Sequence, residues 1–417
     1  MLVAGIVLLA LNLRAAITSL PPLFPELSAQ LHLSTAEITV LATIPVLCFG
    51  LFSGVAAPLS RRFGEERVLL ASLALLATAL ILRGALPGSL LYPGTVIGAG
   101  SIALMNVLLP SLIKRRDPGR AGLLIGLYLL SLAVGSVLGS LLAVPVFRGT
   151  SHAGWLGGPV RFSLGLWAVP ALIGFAAWLP QWRYRTVPAA TGPATAGGGD
   201  RGTGRAGRGA GMGGRINVAR HALAWQVTAF MGLQSLSYYA TLSWLPTLLR
   251  DRGLGAAQAG GLSALMNFGN AVTAMLIPVV AHRMRSQRAL IVPTVLATAA
   301  GIAGALFAPL GGAWAWVLLL GLAQGAALAL GIFFTMARAP DPVSAASLSA
   351  LAQGAGYLLA TGGPLAVGLL HAATGGWDVP IALLLALCAA ELAAGWLAGR
   401  DAVLPRPSPA ASGPAER

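Results

Sequence analysis

In the stretch LLALNLRAAITSL, Leu8–Leu20, one permanent cation stands in an apolar run: Arg14. Counted as a helix from Leu2, the run carries Arg14 roughly 18 Å along its axis at 1.5 Å per residue. Inserting a guanidinium at the middle of a bilayer costs about 3 to more than 10 kcal/mol. Arg14 must therefore face protein or a wet cavity. Its planar fork of donors matches a carboxylate or another small anion. The competing reading is a structural arginine bonded to backbone carbonyls or to a partner carboxylate. The only carboxylate away from the ends of a predicted span, however, is Glu391, in the last one. A ligand is the expected partner, and Arg14 the expected centre of a substrate site. Thr18, one turn further along the same face, is expected to line the same cavity. Asn12, on another face, is expected to bond a neighbouring helix.

Further polar residues stand in mid-span. Gln234 falls one residue from the position that an offset of 221 relates to Arg14, and Tyr238 follows one turn later. Asn106, Tyr128 with Ser131, Asn267, Asn270, Gln324, and Gln353 with Tyr357 complete the candidate substrate-binding set. Each has a plainer alternative, because buried amides and hydroxyls also bridge helices at modest energy. Tyr239 and Trp244 read as packing or interface residues. Catalytic and metal chemistry lack their residues. The histidines His32, His152, His221, His282 and His371 are scattered, Cys48 and Cys388 lie far apart, and there is no HExxH, GxSxG or mid-span carboxylate pair. No catalytic residue, metal or cofactor is expected, which argues against a membrane enzyme.

The elements that must position these groups follow from composition. Of 417 residues, 56% are hydrophobic and only 9% charged, with a mean hydropathy of +0.79; a soluble domain carries about 25% charged residues. Twelve apolar stretches lie near 2–24, 36–59, 67–86, 90–113, 120–147, 162–181, 221–249, 256–281, 289–309, 312–337, 343–371 and 377–399. Each can cross roughly 30 Å of hydrocarbon as a helix, and continuous rather than alternating apolarity excludes a barrel of strands. The expected fold is an all-α polytopic membrane protein of twelve transmembrane helices. The net charge of +15 comes in short clusters between apolar runs with no basic face, so no nucleic-acid partner is expected. With the amino terminus inside, 21 basic residues fall on the inner side. Five, Arg83, Arg148, Arg161, Arg250 and Arg252, fall in outer loops. That bias puts both termini in the cytoplasm and the protein in the cytoplasmic membrane. Residues 188–220 are rich in Gly, Ala, Thr and Arg and read as a disordered cytoplasmic linker. The GTGRAG within them matches GxGxxG by chance, with no strand before it.

The linker separates a six-helix bundle at 1–187 from a second at 221–400, and residues 401–417 form a cytoplasmic tail. Pro25, Leu27, Leu33 and Ala36 align with Pro246, Leu248, Leu254 and Ala257 at an offset of 221, and Asp117-Pro118 parallels Asp341-Pro342. Six spans per repeat preserve orientation, giving parallel repeats about an axis along the membrane normal. Two such bundles around a midplane site are the architecture of the major facilitator superfamily. The stretches NLRAAITSLPPLFPEL, VLCFGLFSGVAAPLSRRFGEERVLL, NVLLPSLIKRRDPGRAGLLIGLY and WQVTAFMGLQSLSYYATLSWLP resemble one branch of that superfamily, the cyanate and 2-nitroimidazole transporters. The resemblance implies that span 12 is peripheral, which leaves Arg14 without a fixed counter-ion. It also implies a gating loop on the cytoplasmic side, for which Arg61, Arg62, Gly64, Arg67, Lys114 and Arg115 are the candidates. The superfamily signature resembles G-x-x-x-D-R-F-G-R-R, and Arg61 stands where its Asp would be. The usual charge relay therefore does not carry over unchanged.

The expected function is a secondary active transporter that moves a small anion or nitrogen heterocycle, such as cyanate, a carboxylate or a nitroimidazole, by alternating access. An efflux carrier for a neutral substrate is the alternative, and a non-transporting receptor the rival outside that class. A negative-inside potential opposes uptake of a monovalent anion by about 2.3 kcal/mol per 100 mV. Uptake would thus need protons or a counter-anion as coupling partner. The scarcity of mid-span carboxylates favours exchange, a substrate that brings its own proton, or export.

Overall fold

The computed structural model describes residues 2–150, 158–184, 186 and 218–405. Most of the predicted linker, 188–217, and the tail beyond 405 lie outside the described residues; Val218–Arg220 form one 3-10 turn. Span 1 is α1 (Leu2–Thr18) and α2 (Phe24–Leu31), broken by the Pro21–Leu23 turn. Span 2 is α3 (Thr35–Phe52) and α4 (Ala56–Phe63); spans 3, 4 and 5 are α5 (Glu65–Ala85), α6 (Pro87–Arg116) and α7 (Ala121–Gly149). Span 6 is α8 (Pro159–Gly165) and α9 (Ala168–Trp178). The second set comprises α10 (Ala222–Asp251), α11 (Ala256–His282), α12 (Arg288–Phe307) and α13 (Ala313–Ala337). It ends with α14 (Pro342–Ala360), α15 (Gly362–Thr374) and α16 (Asp378–Ala398). All twelve apolar stretches are thus helical.

Eleven of the described spans are long and apolar enough to cross a membrane. The exception, α10, is instructive. Its sequence interleaves Thr228, Gln234, Ser235, Ser237, Tyr238, Thr241 and Ser243, all of them buried. It packs against α11, α13, α14, α15 and α16 and touches the Pro21–Leu23 turn. A helix screened from lipid on most sides can keep polar side chains, because its neighbours replace water as bonding partners. Elsewhere Leu51, Leu75, Leu123, Leu130, Leu276 and Val279 stand exposed on helix faces, as lipid-facing positions require.

The packing repeats after six spans. Helix α1 meets α7 and α9, as α10 meets α14 and α16; α5 meets α6, as α12 meets α13. Between the sets, α7 lies on α11, and α3 on α14 and α15. Glycines allow close approaches, two of them at Gly139 and Gly325. A Cβ on Gly139 would overlap the Thr18 hydroxyl and the Ala15 carbonyl, and one on Gly325 the Asn270 carbonyl and the Thr273 hydroxyl. Small residues at such crossings let backbones approach without lipid between them. Arg83, assigned by sequence to an outer loop, instead lies within α5 and is buried.

Candidate functional site

Two bonds fix the position of α1. The Asn12 amide donates to Leu8 O at 2.7 Å and to Pro170 O of α9 at 2.9 Å. The Thr18 hydroxyl donates to Ser136 O of α7 at 3.0 Å. Between those anchors Arg14 turns into a cavity of about 320 Å³ bounded by α1, α7, α11 and α13, with Tyr238 from α10. The wall is mostly apolar, and includes Leu132, Ala271, Met275, Leu328, Phe333 and Met336. Against it stand Arg14, Ser136, Tyr238, Asn267 and Asn270. Three of these present buried atoms without a hydrogen-bond partner: Arg14 Nη1, Ser136 Oγ and Asn270 Nδ2. A buried polar atom is normally bonded. A guanidinium nitrogen, an amide nitrogen and a hydroxyl around one space therefore offer a ligand two donors and one group that can donate or accept.

Around Arg14 are four tyrosines, Tyr239, Tyr238, Tyr357 and Tyr128, all near enough to act on it electrostatically. Three belong to an aromatic wall drawn from both helix sets. Tyr238 and Tyr239 have ring centroids 5.1 Å apart, and Phe49 of α3 lies 6.2 Å from Tyr239 and 5.9 Å from Tyr357 of α14. Tyr238 donates to Asn267 Oδ1 at 3.2 Å, and Asn267 Nδ2 donates to Ser140 Oγ at 3.2 Å. The Tyr128 hydroxyl contacts Asn106 Oδ1 at 3.5 Å. Glu391 makes no contact with Arg14. It is buried in α16, with Oε1 unpartnered.

Of the residues singled out by sequence, Arg14, Tyr238, Asn267 and Asn270 line the cavity, while Tyr128, Tyr357 and, through Tyr128, Asn106 stand beside it. Four others do not line it. Thr18 is fully buried, its hydroxyl spent on the α1–α7 contact. Gln234 turns back to Met231 O at 3.1 Å and Ser235 Oγ at 2.7 Å. Gln324 donates to Thr241 Oγ1 at 2.8 Å and ties α13 to α10. Gln353 is exposed and bonded one turn back to Ser349. Of the three glutamines Gln324 bridges helices, the alternative given above, whereas Gln234 and Gln353 bond within their own helices. Ser136, Phe49 and Tyr239 were missed as site residues. Ser136 carried a signal, for it lies two helical turns beyond Tyr128 on the same face.

At the end of α4, Arg61 and Arg62 are exposed. Gly64 enters α5 at φ +89°, a conformation that glycine adopts without strain. Arg67 lies over the Trp182 ring at 5.3 Å, and Lys114 is exposed. Two further groups at this end are ones that sequence reading passed over. Glu65 and Glu66, both buried, occupy the two arginine positions of the signature quoted above. Glu65 lies 3.8 Å from Arg115 and accepts from Ser111 at 2.8 Å. Glu66 lies 3.7 Å from Arg116 and accepts from Thr186 N at 2.7 Å and Thr186 Oγ1 at 2.6 Å. Relative to that signature the charges at 61, 65 and 66 are inverted. At the opposite end Arg250 holds Glu26 through two contacts of 2.7 Å, which joins the two helix sets.

Residues 6–361 match the Major Facilitator Superfamily. The chain is 38% identical over 400 residues to the 2-nitroimidazole transporter of Escherichia coli (strain K12), covering 96% of this chain and 95% of that one. It is 28% identical to the cyanate transport protein CynX of the same organism, over 89% of this chain and 90% of that one. In fold it is similar to a bacterial homolog of the human lysosomal transporter Spinster, with a TM-score of 0.74 at 16% identity and 96% coverage of both chains.

Proposed function

Because the chain belongs to the Major Facilitator Superfamily and is a multi-pass membrane transporter, not an enzyme, we propose that it is a secondary carrier for a small planar anion or nitrogen heterocycle, bound at Arg14 and moved by alternating access. One observation carries the reading: Arg14 Nη1, Asn270 Nδ2 and Ser136 Oγ converge unpartnered on one largely apolar cavity. A carboxylate, a nitro group or a deprotonated ring nitrogen takes those donors. Phe333, Leu132 and Ala271 take the ring face. The volume of about 320 Å³ accommodates a substituted ring and leaves a three-atom anion loosely held. On that ground a ring resembling the substrate in the first relative's name is preferred over a bare cyanate.

The lining runs from Arg14 through Leu129, Pro278 and Met336 toward the end where Glu66 meets Arg116. The charge bias of the loops makes that end cytoplasmic. The Glu26–Arg250 pair then closes the outer end, and the bundles must part there for the site to face outward. No carboxylate lines the cavity, which supports exchange, a substrate that carries its own proton, or export over a protein-borne proton relay.

The test is a thermal-shift and proteoliposome-uptake series with 2-nitroimidazole, benzoate and cyanate. Wild type should bind the ring compounds more tightly than cyanate. Arg14→Ala should fold yet lose binding by about tenfold to a hundredfold, the scale of one charge-assisted contact. Undiminished uptake by Arg14→Ala would remove Arg14 from the site.

A further inference from the structure

Another arginine, this one buried, has no role in the cavity just described. Arg83 lies one turn inside the far end of α5 and is only 4% exposed. Its Nε and Nη2 are buried without hydrogen-bond partners, and no carboxylate is bridged to it among the described residues. Leaving a guanidinium dry and unpaired is among the least favourable arrangements a fold can adopt.

Beside it is a pocket of about 30 Å³ lined by α1, α3, α5 and α6, with Ile17, Leu20, Pro45, Thr95 and Gly98 in its wall. None of these lines the Arg14 cavity, which opens on another face of α1. The Thr95 hydroxyl already donates to Leu91 O at 2.6 Å, so Arg83 dominates the polarity of the pocket. The space suffices for about one or two waters or one monatomic ion. A water would satisfy an N–H but not the charge. An anion does both, and a guanidinium is weakly hydrated enough to pair with it at little desolvation cost.

We propose that Arg83 holds one halide-sized inorganic anion in this pocket, as a bound ion separate from the transported substrate. The site is selective by size and charge: chloride and bromide fit, and sulfate is excluded.

Equilibrium binding of radiolabelled chloride to the purified full chain in gluconate buffer tests this. Wild type should show one saturable site, displaced by bromide but not by sulfate. Arg14→Ala should keep it, and Arg83→Gln should weaken it by about tenfold or more. Absence of saturable chloride binding in wild type, loss of it in Arg14→Ala, or equal affinity in Arg83→Gln overturns the assignment. If Arg83→Gln does not fold, wild-type crystals grown in bromide decide. An anomalous peak within hydrogen-bond reach of Arg83 is expected, and its absence overturns the site.

Discussion

Each repeat ties the foot of its fourth span to the start of its third, and the two ties differ in chemistry. In the first, Glu66 at the start of α5 meets Arg116 at the end of α6, and Thr186, just beyond span 6, donates two bonds to the same carboxylate. In the second, the offset of 221 brings Gln287 to the place of Glu66, and one residue more brings Arg338 to that of Arg116. Arg338 donates to Gln287 Oε1 and, at 2.9 Å, to Ala398 O at the end of span 12. Even the backbone agrees: Glu65 N donates to Thr186 O at 2.9 Å, and Gln287 N to Gly399 O at 3.0 Å. Both arginines also cover a ring, Tyr184 at 4.1 Å and Phe334 at 5.3 Å. One geometry thus occurs with an ion pair at 3.7 Å, in which Arg116 Nη1 makes no hydrogen bond, and with a hydrogen-bonded neutral amide. The first tie rests on charge and on the Thr186 bonds to the carboxylate, the second on hydrogen bonds alone.

The sharpest way to break this comparison is to remove the acceptor from each tie. Glu66→Ala should cost about 2–4 kcal/mol, somewhat below the 3–5 of a fully buried pair because Arg116 keeps some contact with water. Gln287→Ala should cost about 1–3 kcal/mol, as Arg338 loses one acceptor and keeps the Ala398 carbonyl. Thermal unfolding of the purified variants measures both. Equal losses would mean that the charge in the first tie contributes nothing beyond the hydrogen bonds.

A smaller effect sharpens it: the two side chains should not be interchangeable. Glu66→Gln turns an NH₂ toward one of the two Thr186 donors, for about 1–2 kcal/mol. Gln287→Glu gains an ion pair with Arg338. It also sets a carboxylate against Ala281 O and Met284 O, which now accept from the amide at 3.2 and 2.8 Å. A net loss of about 1 kcal/mol is expected despite the adjacent cation. A stabilised Gln287→Glu would show that charge outweighs local bonding here.

The span count, the repeat and the mid-span Arg14 were legible in the sequence because each rests on a strong one-dimensional signal. Those signals are a run of apolar residues, a fixed offset, and a charge where none is tolerated. Tyr238, Asn267 and Asn270 were legible for the same reason, as polar residues in mid-span. Gln234, Gln324 and Gln353 carry the same signal and go elsewhere. Periodicity says that an amide is buried and not what it reaches, which is decided by helix rotation and by the carbonyls a neighbour presents. Glu65 and Glu66 were illegible for another reason. They stand at the edge of an apolar run, where charge is ordinary, and only the fold brings Arg115, Arg116 and Thr186 onto them. Arg83 shows the reverse error, since a charge near a helix end looks like a loop residue until packing buries it.

The smallest expected effect concerns the Asp-Pro pair that precedes span 5 and span 11. Asp341 accepts from Val343 N at 2.9 Å, Ser344 N at 3.0 Å and Ser344 Oγ at 2.8 Å, capping α14. Asp117 accepts from Arg120 N alone, at 3.2 Å. Bonds from the Ser344 backbone and then its hydroxyl hold the Asp341 carboxyl below the usual carboxylate range. A lowered value stabilises the fold at pH above the ordinary carboxylate pKa, and that contribution is lost as pH falls through the lowered one. Asp341→Asn should therefore lower the unfolding temperature slightly at neutral pH and leave it unchanged in acid, where the wild-type carboxyl is protonated. Asp117→Asn, with one longer bond to lose, should shift less at neutral pH. The measurement is a pair of unfolding temperatures at each pH. If the Asp341→Asn gap persists undiminished in acid, the cap works through shape and hydrogen bonding alone, without the charge.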